Sequence, residues 1–308
     1  GLLMNKLTVG IITLALLILP ASIAAQERKL NMVASTTQIA DFARQIAGDR
    51  MAVKSILAPG ADPHTYQVTP DDVQLVLDAD LCIENGIHLE GKNWMSTLAK
   101  DAKKPIITAT QGIKPLSIQE GGESIADPHA WFSPRNVAVY VRNIVKGFVT
   151  LDPEHAPEYQ ARAKLFLQQL RVLDAWIREQ VSQIPPQRRI LVTTHDAFNY
   201  FCFEYKFNES NNYLSIAPVG WSTGAEVGAG MTPQRRRNVV DSIRKSGAPA
   251  IFVETSINPK QIREIAKDTG VEIGGELYSD SMGPKDSAGE TYIGMMRENV
   301  LLIVNALK

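Results

Sequence analysis

From Pro134 to Ile184 the chain carries no signal for a β-strand, and that stretch dictates most of what can be built around it. It breaks once, at Leu151-Asp152-Pro153. Beyond the break, apolar residues recur at Tyr159, Ala163, Phe166, Leu170, Leu173, Ile177 and Val181, three or four positions apart, which is one face of an α-helix. The spacing predicts a helix from about Pro157 to Ser182, stopped by Pro185-Pro186. At about 1.5 Å per residue it reaches about 40 Å, the diameter of a small domain.

On either side, short apolar runs alternate with helical stretches. Leu30–Ala34 reads as a strand and Thr37–Ala47 as a helix stopped by Gly48. Residues 53–57 read as the next strand and 58–69 as a Pro/Gly loop. Pro70 then opens a helix with Asp71 and Asp72 in its first turn, where carboxylates complement the helix dipole. Leu81–Glu84 and Ile106–Thr108 are further strands. After the long helix, residues 190–194 and 251–253 read as strands, and 197–205, 232–246, 259–269 and 291–307 as helices. The Gly-rich segment 219–230 reads as a loop. Strands separated by helices build parallel sheets. The 308 residues accommodate two domains at roughly 150 residues each. The predicted fold is therefore α/β, with two parallel-sheet lobes (26–155 and 185–308) joined by a long rigid backbone helix (156–184) and a cleft between them. Such a link resists hinge bending more than a pair of flexible strands would.

The first 25 residues read as an export signal. Lys6 precedes an almost wholly apolar run, 7–20, and Ala21-Ser22-Ile23-Ala24-Ala25 offers the small residues of a cleavage site after Ala24 or Ala25. The run is shorter than the roughly 20 residues of a spanning helix. No cysteine lies near this site to carry a lipid anchor, so a soluble protein starting near Gln26, periplasmic or otherwise extracytoplasmic, is the expectation. Cys82 and Cys202 stand in apolar surroundings and read as buried free thiols. A net charge of −1, with Lys and Arg spread along the chain, argues against a nucleic-acid partner, which needs a basic stripe.

Three of the five histidines stand in one kind of place, after a strand and in a loop leading to a helix: His64, His129 and His195. In open parallel sheets ligands bind outside the carboxyl ends of the strands, so loops of both lobes can converge on one cleft. Asp280, in the polar loop Tyr278-Ser279-Asp280-Ser281-Met282-Gly283, is a fourth candidate. Imidazole nitrogens and a carboxylate oxygen are ligand types zinc accepts, usually four in a tetrahedron. Both His64 and His129 follow Asp-Pro, whose restricted backbone presents the imidazole stiffly. Asp-Pro can equally just make two turns. Asp62, Asp127 and Asp196 either accept an imidazole N–H or cap a turn. Glu254 is placed to point toward the cleft, Trp131 and Phe132 to pack beneath the second loop, and His88 and His155 to stay exposed.

Longer stretches around these residues resemble a known family. Pro59-Gly60-Ala61-Asp62-Pro63-His64-Thr65-Tyr66, followed by Thr69-Pro70-Asp71-Asp72-Val73, looks like the first metal-binding segment of the zinc/manganese (cluster A-I) solute-binding proteins of ABC transporters. Glu84-Asn85-Gly86-Ile87-His88-Leu89-Glu90 is similar to that family's Asn-Gly…Leu-Glu segment. Asp127-Pro128-His129-Ala130-Trp131-Phe132-Ser133-Pro134, Thr194-His195-Asp196-Ala197-Phe198-Asn199-Tyr200-Phe201 and the Asp280 loop resemble its second, third and fourth ligand motifs, in order. The resemblance implies two lobes bridged by a backbone helix and four metal ligands, His64, His129, His195 and Asp280. Two departures stand out. The third ligand is His, where manganese-type members commonly place Glu, and residues 119–124 contain no histidine where many zinc-specialised members carry a His- and Asp-rich loop.

The resemblance implies capture of a divalent transition metal, Zn2+ favoured and Mn2+ the alternative, and delivery to the membrane permease of an ABC transporter by a monomeric carrier that is not an enzyme. Two other readings remain open at this level. A zinc hydrolase would need an open coordination position for water, which Asp280 would close. A receptor for a metal chelate would need a broad cleft with basic or aromatic anchors, and no cluster of them lies near the ligand segments. Metal affinity is expected to fall as histidine protonates near pH 6.

Overall fold

The structure is a computed structural model, and it describes residues 28–120, 123–217 and 232–308. The export signal (1–25) and the glycine-rich segment 219–230 lie outside the described residues.

Four parallel strands open the first lobe: β1 (Leu30–Ala34), β2 (Met51–Ser55), β3 (Leu81–Glu84) and β4 (Ile106–Thr108), in the order β2-β1-β3-β4. Helix α1 (Thr37–Ala47) links β1 to β2, with the Thr36 hydroxyl accepting from Ile39 N at its start and Gly48 at φ 55° ending it. Helix α2 (Pro70–Leu77) starts with a reciprocal capping box between Thr69 and Asp72. Helix α3 (Trp94–Asp101) precedes β4. Strand β2 begins two residues earlier than predicted, because Leu30↔Met51 to Ala34↔Ser55 is the register that pairs all of β1. Ile56 and Leu57 still donate to the carbonyls of Ala34 and Ser35, and both are buried.

An antiparallel hairpin, β5 (Ser117–Glu120) and β6 (Glu123–Ala126), leads into the second histidine loop. The sequence reading missed it, although Gly121-Gly122 between two short polar-apolar runs is a hairpin signal. Helix α4 (Pro134–Leu151), a 3-10 turn at Pro153–His155 and α5 (Ala156–Ser182) follow. The buried residues of α5 are the seven of the predicted stripe, Tyr159 to Val181. That face packs on α1 and α4 and, on the other side, on α9 (Tyr292–Leu307), so a single apolar cluster runs through both lobes.

The second lobe holds α6 (Asn199–Tyr205), α7 (Pro233–Ser246), β7 (Ala250–Glu254), α8 (Lys260–Thr269) and β8 (Glu272–Leu277). Strands β7 and β8 pair in parallel. The predicted strand 190–194 is not a regular strand but an extended segment bridged once, Val192 to Ile216, with the Val192 carbonyl accepting from Phe252 N. Asn208 supplies part of the pairing: its carboxamide oxygen accepts from Leu191 N (2.8 Å) and its Nδ2 donates to Leu191 O (3.0 Å), an oxygen that Ile216 N also reaches at 3.2 Å. The predicted helix 197–205 opens with a 3-10 turn, Asp196–Phe198, and becomes α-helical at Asn199. No helix among the described residues is long and apolar enough to cross a membrane.

Candidate metal centre

Each loop that carries a candidate ligand is fixed before its side chain reaches the centre. His64 lies between β2 and α2. The Asp62 carboxylate accepts from His64 N (2.8 Å) and from the Thr65 hydroxyl (2.9 Å), and Trp94 Nε1 donates to Pro63 O (3.0 Å). Gly91, at φ 47°, passes so close that a Cβ there would sit 2.3 Å from the His64 carbonyl oxygen. Only glycine tolerates both conditions.

His129 follows β6. Asp127 Oδ1 accepts from His129 N (3.0 Å) and meets His129 Nδ1 at 2.8 Å, and its Oδ2 accepts from Asn199 Nδ2 (2.9 Å). Asn85 Nδ2 holds Pro128 O at 3.1 Å, while Asn85 Oδ1 accepts from Tyr140 OH at 2.7 Å. With Nδ1 bound to Asp127, Nε2 is the atom presented to the cleft. Trp131 and Phe132 are buried beneath the loop, the Trp131 ring 5.3 Å from that of His129. His195 follows the extended segment. Glu254, the last residue of β7, accepts from His195 N through Oε1 (2.9 Å) and meets His195 Nδ1 through Oε2 (2.5 Å). Asp280 lies in the loop after β8.

These four side chains, fully or almost fully buried, come together. One donor atom from each lies within 4.8 Å of all the others. His64 Nε2 is 3.2 Å from His129 Nε2 and 3.6 Å from Asp280 Oδ2. His129 Nε2 is 3.3 Å from Asp280 Oδ1, and His195 Nε2 is 3.0 Å from Asp280 Oδ2. Ligands about 2.0–2.2 Å from zinc at the corners of a tetrahedron would be about 3.3–3.6 Å apart, so the spacing suits one small divalent cation.

Charge follows from burial and from the carboxylates. Burial disfavours ionised Asp280, but His195 and His129 outweigh it and hold the carboxyl well below its ordinary range. Burial likewise opposes a charged His129, yet Asp127 and Asp280 raise it to about 9. Burial also works against His195, and Asp280 and Glu254 lift it well above the ordinary value. His64 is pushed down to about 3 by burial, with Asp280 pulling back and the other two imidazoles adding to the fall. Without metal, Asp280 is thus favoured in its charged form and His129 and His195 in their protonated forms, and a divalent cation would compete with those protons.

The flanking acids divide. Asp62 caps a turn, Asp127 both caps and takes the imidazole, and Asp196 uses its backbone carbonyl, which accepts from Asn199 Nδ2 at 3.2 Å. Glu254, placed toward the cleft by the sequence, takes the third imidazole. Asn85 and Glu90 were legible only as parts of a motif. The buried Glu90 carboxylate accepts from Ser35 Oγ (2.7 Å), Asn85 N (2.6 Å) and Gly86 N (3.1 Å), which ties the end of β1 to the segment holding Pro128. His88 is exposed, and His155 is half-buried against Asp152 rather than exposed; neither belongs to the centre.

The family model described as ZnuA, zinc-uptake complex component A periplasmic, matches residues 32–306. The iron-binding protein YfeA of Yersinia pestis is 40% identical over 275 residues, 89% of this chain and 85% of that one. The manganese-binding lipoprotein MntA of Bacillus subtilis is 36% identical over 289 residues, 92% and 91% of the two chains. Among solved structures, the periplasmic zinc-binding protein TroA of Treponema pallidum superposes with a TM-score of 0.82 at 32% identity, covering 91% of this chain and 99% of that one.

Proposed function

We propose that this chain, which belongs to the family of periplasmic zinc-uptake component A proteins, captures a divalent transition-metal ion outside the cytoplasm and delivers it to the permease of a metal ABC transporter. His64, His129, His195 and Asp280 are the ligands of this reading. The observation that carries it is the convergence of three imidazole nitrogens and one carboxylate, drawn from both lobes, on one buried point. A carrier is favoured over a hydrolase because Asp280 lies 3.0–3.6 Å from all three imidazoles, in the place an attacking water would need.

Relatives are named for iron, manganese or zinc, so family membership leaves the ion open. Zinc is the ion we assign. Three nitrogen donors suit it better than manganese, which favours oxygen-rich sites, and zinc ranks above manganese at sites of mixed nitrogen and oxygen ligands. His195, where manganese-type members commonly carry Glu, points the same way. Titrating metal-free protein with Zn2+ and Mn2+ in competition tests the assignment: zinc should displace manganese at one site per chain, and tighter manganese binding would reverse it.

The family description and the lipoprotein names of relatives agree on a place of action outside the cytoplasm. Export by a signal cut after Ala24 or Ala25, without a lipid anchor, is the finer reading, and mass spectrometry of the exported protein's N-terminus tests it. The carrier is expected to act as a monomer.

A further inference from the structure

The Asp280 loop belongs to the second lobe by sequence, where Ser279 Oγ meets Ser256 Oγ (2.9 Å) and Asn299 holds both Tyr278 N (2.9 Å) and Tyr278 O (2.7 Å), yet the residues on either side of Asp280 also bond to the first lobe. On one side of Asp280 the Gln38 Nε2 amide donates to Ser279 O (3.1 Å). On the other, Met282 N donates to the Thr37 hydroxyl (2.8 Å), and that hydroxyl donates to Gln38 Oε1 (3.1 Å). Thr37 and Gln38 are the first two residues of α1, so two adjacent side chains close a ring around the ligand: Met282 N–H to Thr37, Thr37 to Gln38, Gln38 to Ser279. Gly60 N, in the His64 loop, donates to Ser281 Oγ at 2.5 Å, and Tyr292 N, at the start of α9, donates to Asp41 Oδ2 at 2.9 Å. Every residue of the ring is buried, so water cannot substitute for a lost partner.

We infer that Thr37 and Gln38 are positioning residues for the metal site: they hold the Asp280 carboxylate in the frame of the first lobe, with His64 and His129, and so set how fast bound metal escapes. His195 is tied to the second lobe through Glu254, the last residue of β7. The inference rests on the reading of Asp280 as a ligand. Neither side chain is among the four grouped donors; both act through the backbone on either side of Asp280.

The test compares Thr37→Val, Thr37→Ser, Gln38→Leu and Asp280→Asn, reading zinc dissociation by stopped-flow with a chromogenic chelator and the melting temperature of metal-free protein. Thr37→Val keeps the shape and removes the hydroxyl, and should speed zinc release about 10-fold or more, within the range seen when outer partners of metal ligands are lost. Gln38→Leu should do the same, while Thr37→Ser, which restores the hydroxyl, should release zinc at nearly the wild-type rate. A merely structural role would lower the melting temperature of Thr37→Val and Gln38→Leu without changing the release rate of the folded fraction, and that result overturns the inference. Should Thr37→Val not fold, Gln38→Leu decides alone. Asp280→Asn separates the two levels: if it retains tight zinc binding, the ligand reading itself fails, whereas loss of binding there with unchanged release in the α1 variants rejects only the positioning role.

Discussion

Glu254 holds His195 at two points, its Oε1 on the backbone N–H at 2.9 Å and its Oε2 on the imidazole Nδ1 at 2.5 Å. One carboxylate thereby sets both where the loop runs and which ring nitrogen faces Asp280. It also fixes the tautomer in which His195 would present Nε2 to a metal, and makes that nitrogen more basic. Glu254→Gln keeps a backbone acceptor but gives up the charge, so zinc affinity should fall about 10- to 100-fold with the one-to-one stoichiometry intact, as isothermal titration calorimetry would read.

The pH dependence lies higher than ordinary histidines suggest. His129 in the metal-free fold is raised to about 9, so its contribution to stability is complete below the unfolded value of about 6.5 and is lost as pH climbs through about 9. His195 acts in the same direction. His64, pushed down to about 3, acts in the opposite one: the metal-free fold loses stability as pH falls from about 6.5 toward 3. Metal must displace the protons on His129 and His195, so affinity should keep rising with pH from 6 to about 9 instead of levelling off above the ordinary histidine range near 6. Calorimetry at pH 7.5 in buffers of different ionisation enthalpy should show proton release on zinc binding, and binding independent of pH between 7 and 9 would contradict it.

His195→Glu exchanges a nitrogen donor for oxygen at the position where manganese-type members commonly carry Glu. The ratio of zinc to manganese affinity should fall by about 10-fold or more, read by competition between the two ions. An unchanged ratio would show that this ligand does not govern the choice of ion.

Gly91→Ala places a methyl group against the His64 carbonyl oxygen at a backbone angle of φ 47°. The strain, on the order of 1–3 kcal/mol, should lower the melting temperature. Because the displaced backbone is that of His64, zinc affinity should fall as well. A variant that melts early yet binds zinc as before would show that the loop accommodates the methyl elsewhere.

Zinc at about 1,000 times its dissociation constant should add about 4 kcal/mol to the stability of a site formed only in the folded chain. A large upward shift in melting temperature, reversed by chelator and absent in Asp280→Asn, is the expected result of differential scanning calorimetry.

What the sequence disclosed depends on how far along the chain each interaction reaches. The buried face of α5 repeats every three or four residues, so its register could be read without any partner. The Asp-Pro-His tripeptides carry their own turn geometry, and the four candidate ligands His64, His129, His195 and Asp280 lie within reach of one another. The segment 190–194 looked like a strand because its own residues favour one. Its pairing comes instead from distant pieces: the Asn208 carboxamide, 17 positions on, takes Leu191 N, and Ile216 and Phe252 supply the backbone partners. Thr37 and Gln38 read only as the first turn of a helix, since their partners lie more than 240 residues on. Periodicity sees neighbours; a hydrogen bond between distant segments leaves no trace in either one.

Helix α5 gives its single apolar face to α1 and α4 at one side and to α9 at the other, so it is a spine laid through one continuous interior. Swinging the halves apart like a clamshell would tear that interior open to solvent, a far greater cost than shifting a loop. On the proposed function, release would then go by short displacements at the mouth, and a seated ion would leave slowly by itself. A docked permease would supply the work of extraction, and the carrier would behave as a sealed courier rather than a buffer in ready equilibrium with its surroundings.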